Sequence, residues 1–420
     1  MNTVSEQTPH FEDFLPSGGG ADVFAKVDAL ASLLDAHRPE YIEGLGMQIL
    51  GPAAHTAHVR ELDGESHDVI MLGSNSYLSL TTHPKVVAAA KEACDNYGYG
   101  MGAVSLYSGT TDLHKELERL IAEFYHAEDA ILIPCGYSAN VGVISCLCGP
   151  GDVILADAYD HASIFDGCKL SGADVKVYLH RNVKHLERLL SGLPESQAGR
   201  LIITDGVFSM DGDLAPLDEI VELARRYHAR VMVDDAHGLG IVGPTGRGTA
   251  EVFGCMDAID INLGTLSKTP GAVGGYCAGS ARLIQYLRFY TRTYFFSTSL
   301  PPPVVAGLIE VFKLLIADNA GRERLLENVD YMLAGLKNLG FDTGATRSAV
   351  IPIMVGDEEK LGRFSNELRR AGVYTNVVTY PAVRRKECRL RLCVMNSLTQ
   401  MDMDQALQTL GKIGRELRII

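Results

Sequence analysis

The chain has 420 residues and a net charge of −14, with 52 acidic side chains against 38 basic ones, a balance that repels a phosphate backbone and argues against a nucleic-acid binder. A composition of 46% hydrophobic and 21% charged residues is that of an ordinary globular protein, long enough for two or three structural units. Nine cysteines are scattered without CxxC spacing, which supports neither a disulfide framework nor a zinc site and suits a cytoplasmic, reducing setting.

Residues 1–21 are acidic, lack the apolar core of a signal peptide and end in Ser17-Gly-Gly-Gly20, which reads as a flexible lead-in. Residues 22–60 form a helix and an arm, the helix placing Val23, Phe24, Val27, Leu30, Leu33 and Leu34 on one face. A large domain spans 61–298. It opens with a helix after His83-Pro84 and a second over Asp112–Tyr125.

Five short apolar runs follow, Ala130-ILIP, Asp152-VILA, Arg200-LIITD, Arg230-VMVD and Ala258-IDINL, each expected to lead through polar or glycine residues into a helix. That alternation predicts an α/β fold with a mostly parallel sheet and crossover helices. From 299 to 420, helices mix with the run Val350-IPIMV, predicting a smaller α+β domain. The most apolar helix candidate, Pro303–Asp318, carries Glu310 and Lys313 inside the roughly 20 residues a membrane span requires, so it reads as a buried helix.

Ligands of parallel sheets bind at the carboxyl ends of the strands, and the polar residues there are the candidates. Cys135-Gly-Tyr-Ser-Ala-Asn140 ends one strand and starts a helix, whose free N–H groups and dipole suit a phosphate. His161, Ser209, Asp234 and His237 follow other strands, and Lys268 follows the last, in Gly264-Thr-Leu-Ser-Lys-Thr-Pro-Gly271. Each has an ordinary structural reading: turn, cap or satisfied core histidine. Together they supply an amine whose pKa burial would lower, a carboxylate for a ring nitrogen, an imidazole flat enough to stack and a phosphate cup. That set fits pyridoxal phosphate.

The chain resembles the α-oxoamine synthases, fold-type I pyridoxal-phosphate acyltransferases that join an amino acid to an acyl thioester with loss of carbon dioxide. The resemblance rests on Asp160-His-Ala-Ser-Ile164, Asp205-Gly-Val-Phe-Ser-Met-Asp-Gly212, Val233-Asp-Asp-Ala-His237, Gly243-Pro-Thr-Gly-Arg-Gly248, Gly264-Thr-Leu-Ser-Lys268 and Phe296-Ser-Thr-Ser-Leu-Pro-Pro302.

It implies that Lys268 carries the cofactor and that Asp234 faces the pyridine nitrogen. His161 stacks on the ring, while His237 and Ser209 bond the phenolic oxygen. Gly136, Tyr137 and Thr265 hold the phosphate, with Thr298 reaching over from the second subunit of a homodimer. Asn75 lies near the substrates, and Arg391 pairs with the amino acid's carboxylate.

Within the family, the chain resembles serine palmitoyltransferase most, with glycine C-acetyltransferase and a carrier-protein-dependent synthase as alternatives; the amino acid is serine, glycine or alanine, and the thioester is carried by coenzyme A or acyl carrier protein. Leu106, Thr379 and Leu398 stand where many relatives have polar residues, which points to a different acyl donor. A fold-type I aminotransferase would share Lys268 and Asp234 and is the remaining alternative.

Overall fold

The computed structural model describes residues 22–36, 45–194, 199–317 and 319–420, so the lead-in expected at 1–21 lies outside the described residues. The first helix runs Ala25–Ala36; Val27 on it and Val23 and Phe24 just before it are exposed, while Leu30 and Leu34 are half-buried. Strands β1 (Gln48–Ile49), β2 (Thr56–Arg60) and β3 (Ser66–Met71) follow as an antiparallel meander.

The central sheet contains β4 (Asp129–Ile133), β5 (Val153–Asp157), β6 (Asp174–Tyr178), β7 (Arg200–Asp205), β8 (Arg230–Asp234), β9 (Ile261–Thr265) and β10 (Gly275–Gly279). Their order is β4-β10-β9-β8-β7-β5-β6, parallel throughout except for β10, which runs antiparallel to both neighbours.

The strands read as continuous apolar runs because helices cover both faces. Side chains alternate between the two cores: Ile154, Ile203 and Met232 pack with Val143, Ile144 and Ile164 on one side. Val153, Leu155, Ile202 and Val231 pack with Leu186, Leu190 and Ile220 on the other. Burying each such side chain contributes about 1.5–3 kcal/mol, so a one-residue slip of register would be costly.

One expectation fails at β9. No helix follows it; the chain turns back through 266–274 into β10, a strand the sequence reading did not contain. The glycines explain the return, since a Cβ on Gly275 would lie 2.5 Å from the Cys135 carbonyl oxygen and 2.8 Å from the Gly136 nitrogen. Only glycine lets β10 lie so close to the end of β4.

Helix Pro302–Ala317 packs on helices Pro84–Tyr97 and Asp112–Tyr125. Beyond it, β11 (Val350–Met354), β12 (Val373–Tyr374), β13 (Asn376–Val378) and β14 (Arg389–Cys393) build the C-terminal region, with an antiparallel sheet in the order β11-β14-β13. Strand β12 instead pairs in parallel with β3. The chain leaving β3 is fixed on both sides, Leu72 N donating to Tyr374 O at 2.9 Å and Cys393 N donating to Leu72 O at 2.7 Å. That delivers the segment 73–78 to the carboxyl edge of the large sheet. No helix among the described residues is long and apolar enough to cross a membrane.

Behind that edge, His180 ties two strand ends together, Nδ1 bonding Asp157 at 2.9 Å and Nε2 bonding Asp213 at 3.1 Å. Burial opposes charge on the ring, yet these two bonds outweigh it and lift its pKa to about 9. The folded value lies above the unfolded one near 6.5, so the stabilisation is complete below pH 6.5 and is lost as pH rises through about 9. Thermal unfolding of wild type and His180→Asn should show a wild-type advantage of about 2 kcal/mol at pH 6 that has vanished by pH 9.5.

Candidate active site

Five strand ends enclose a cavity of about 140 Å³ lined by Gly136, Tyr137, Asn140, His161, Asp205, Ser209, Asp234, His237, Thr265 and Lys268, among others. Nine of the eleven residues singled out from the sequence are thus accounted for by one cavity and its wall: eight of them line it, and Arg391 touches it through Ser209. Asn75 bonds Arg391, and Thr298 is exposed outside the lining.

Asp234 ends β8, buried to 6% exposure. Asn140 Nδ2 donates to its Oδ2 at 2.6 Å and Ala236 N donates to its Oδ1 at 3.0 Å, so each oxygen is fixed by a donor and the carboxyl is aimed. The turn expected to hold a phosphate lies at the mouth of a helix. Cys135 caps helix Gly136–Leu147, and the N–H groups of Gly136 and Tyr137, in its first turn, have no acceptor inside the helix. A Cβ on Gly136 would sit 2.6 Å from Thr265 Cβ, so the turn and β9 meet without room for a side chain. Thr265 Oγ1 lies 2.8 Å from Ser267 Oγ.

His161 caps helix Ala162–Ser171, with Nδ1 2.6 Å from Ser163 Oγ. A capping role and a position over the cavity thus coincide in one residue. His237 is buried, and its Nδ1 lies 2.7 Å from the Tyr77 hydroxyl. The Tyr77 hydroxyl also lies 3.2 Å from Asn75 Oδ1, which links His237 to the Asn75–Arg391 pair. Burial, with Lys268 and Arg391 nearby, pushes the His237 pKa well below its ordinary value, so the ring is neutral.

Lys268 lies in the turn after β9. Burial lowers its pKa to about 8, against the opposing pull of Asp234 and Asp205. Arg391, on β14, is buried and donates from Nε to Ser209 O at 2.6 Å and from Nη2 to Asn75 Oδ1 at 3.0 Å. Asn75 Oδ1 also accepts from Cys393 Sγ at 3.3 Å.

Sequence reading passed over three residues of the site. Asn140 lies inside a helix where asparagine is a poor former, a signal that was available. Asp205 sat inside a quoted motif but was given no role. Tyr77 carried no signal that set it apart from a core aromatic. Among the described residues no cluster of His, Cys, Asp and Glu could hold a metal ion.

This sheet, with a buried lysine and a donor-fixed aspartate at its carboxyl edge, defines a pyridoxal-phosphate-dependent transferase of fold type I. Residues 67–410 match the family described as aminotransferase class I and II. The 8-amino-7-oxononanoate synthase of Thermoanaerobacter pseudethanolicus is 45% identical over 359 residues, covering 86% of this chain and 90% of that protein. The 4-hydroxy-2,2'-bipyrrole-5-methanol synthase of a Serratia species is 38% identical over 386 residues, 92% of this chain and 59% of that protein. The serine palmitoyltransferase of S. paucimobilis, solved with a bound PLP and myriocin adduct, has a TM-score of 0.89 at 33% identity, covering 95% of this chain and 100% of that one. The chain belongs to the aminotransferase class I and II family and, within it, is a pyridoxal-phosphate-dependent α-oxoamine synthase. The palmitoyltransferase resemblance of the motifs is thus matched by the solved structure at 33% identity, while the curated oxononanoate synthase reaches 45%.

Because only the free amine attacks an aldehyde, attachment of pyridoxal phosphate to the apoprotein should accelerate with pH and level off above about 8, the value burial gives Lys268. Growth of the visible absorbance against pH measures this. Lys268→Ala should leave no borohydride-trapped adduct.

Proposed function

We propose that the protein condenses a small L-amino acid, L-alanine foremost, with an acyl thioester, releasing carbon dioxide and thiol. The observation that carries this is Arg391, a buried guanidinium that no carboxylate among the described residues pairs with. Leaving a buried cation without an anion is costly, so the site is built for one that arrives with the substrate. A guanidinium held through Nε and Nη2 still has donors to offer a carboxylate.

Alanine leads because the relatives at 45% identity are named for a product whose amino group sits next to a terminal methyl carbon. That is what a decarboxylating condensation leaves of alanine.

Bound pyridoxal phosphate supplies a sink for the charge that develops at the amino acid's α-carbon. Lys268 would carry the cofactor and, once displaced, its amine takes and returns the α-proton; a pKa about 8 keeps both protonation states accessible near neutrality. Asp234, fixed by Asn140, would keep the ring nitrogen protonated, and His161 would cover the ring. Neutral His237, with Ser209, would hold the phenolic oxygen. Gly136, Tyr137 and Thr265 would bind the phosphate. Asn75 orients Arg391 beside the incoming carboxylate.

A groove of about 580 Å³ adjoins the cavity, sharing His161 and Ser209 and walled by Phe165, Phe208, Met210 and Val383. Its size and apolar wall suit an acyl chain. Thr298 would act in a second copy of the chain. Tyr99, Tyr107 and Phe296 are 87%, 75% and 68% exposed, which supports a homodimer covering this side.

Thiol release should be measured with glycine, L-alanine and L-serine against acetyl, medium-chain, aromatic and long-chain thioesters of coenzyme A and carrier protein. L-Alanine should give the highest kcat/KM; a preference for serine with palmitoyl thioester would overturn the alanine assignment. Arg391→Lys should raise KM for the amino acid by about two orders of magnitude and leave KM for the thioester unchanged.

A further inference from the structure

Asp205 and Asp234 are register partners, the last residues of the adjacent parallel strands β7 and β8. Paired positions on neighbouring strands direct their side chains to one face. Both carboxyl groups line the cavity, and both are buried, at 4% and 6% exposure.

Their surroundings differ. Asp234 has a donor on each oxygen, whereas Asp205 Oδ1 has no partner at all. Asp160 is close by but gives Asp205 no donor, because its Oδ1 is occupied by the Asp205 backbone N–H at 2.7 Å and its Oδ2 by the Asp157 N–H at 2.8 Å. Burial first, then the Asp234 charge, raise the Asp205 pKa well above the carboxylate range, with Asp157 adding to them; Lys268 and the His161 N–H pull the other way. The other titratable neighbours among the described residues are His161 and His237, which line the same cavity, Asp160, whose own pKa burial and the charges of Asp205 and Asp157 raise, and Tyr178 at the end of β6.

We propose that Asp205 is the proton-bearing member of a carboxyl pair with Asp234, a neutral acid that leaves Asp234 as the only carboxylate facing Lys268. Like charges on paired positions of neighbouring strands oppose each other's ionisation, and the donors sit on Asp234 rather than on Asp205 Oδ1. Both carboxyls favour the ammonium form of Lys268, so ionising the second would raise the lysine and remove its free amine near neutral pH. Asp205 is a positioning residue, acting through Asp234 and Lys268. The pairing stands on the apoprotein alone; its consequence for catalysis rests on the function proposed above.

The test compares apo wild type with Asp205→Asn. A carboxyl whose folded pKa is raised keeps a proton that the unfolded chain has shed, so wild-type stability falls as pH rises from about 4 towards the folded value, while the amide has no proton to lose. The Tm of D205N relative to wild type should therefore climb between pH 5 and pH 8, by about 2 °C or more. The pH midpoint of cofactor attachment in D205N should stay where it is in wild type. A relative Tm that falls with pH, or a midpoint that drops in D205N, means Asp205 is ionised and overturns the proposal. If D205N does not fold, Asp205→Ser serves the same comparison, and a wild-type midpoint near 10.5 rather than 8 contradicts it without any variant. Failure to release thiol from any thioester would end the substrate reading and leave these measurements standing.

Discussion

Removing the amine of Lys268 from water, beside one fixed carboxylate, is the constraint on which this molecule depends. An ammonium buried without compensation is costly, and the protein responds by shifting the equilibrium toward the free amine, to a pKa about 8. The same burial keeps His237 neutral and raises the share of Lys268 present as free amine. Asp234 moderates the effect, because its charge partly restores the ammonium form. The reactivity of the site is set by that balance.

The fold serves this constraint through strand direction. Parallel strands end together, so β4, β5, β7, β8 and β9 bring Gly136, His161, Asp205, Asp234 and Lys268 to one edge from positions far apart in sequence. The reversed strand β10 fills the gap between β4 and β9, with glycine where its backbone passes the phosphate turn. The N-terminal strands complete the arrangement by joining β12 and β14, which sets Asn75 against Arg391. A substrate carboxylate would therefore be read by a guanidinium whose position depends on contacts from three parts of the chain.

Much of this was legible in the sequence, for physical reasons. Strands buried on both faces leave uninterrupted apolar runs, and all five that were read became strands of the central sheet. Lys268, Asp234, His161 and His237 were legible because each follows such a run. Strand β6, at the sheet edge and only partly buried, has no such run, and β10 is built of Gly275-Tyr-Cys-Ala-Gly279, where small residues hide the pattern. Tyr77 and Asp205 were not legible as site residues because their roles come from pairings between distant segments, and Asn140 offered only its poor fit to a helix. The substrate was legible only as a class: motifs specify the cofactor machinery, whereas the groove formed by Phe165, Phe208, Met210 and Val383 is assembled from three separate segments.

The most direct test of the central claim follows the carboxyl carbon of the amino acid. With L-alanine labelled at that carbon and a thioester the enzyme accepts, mass spectrometry of the products should find the label in carbon dioxide, one per thiol released, and none in the condensed amine. Label retained in the organic product would mean simple acylation or amine transfer, and would contradict the account of a lysine and an arginine arranged for decarboxylating condensation.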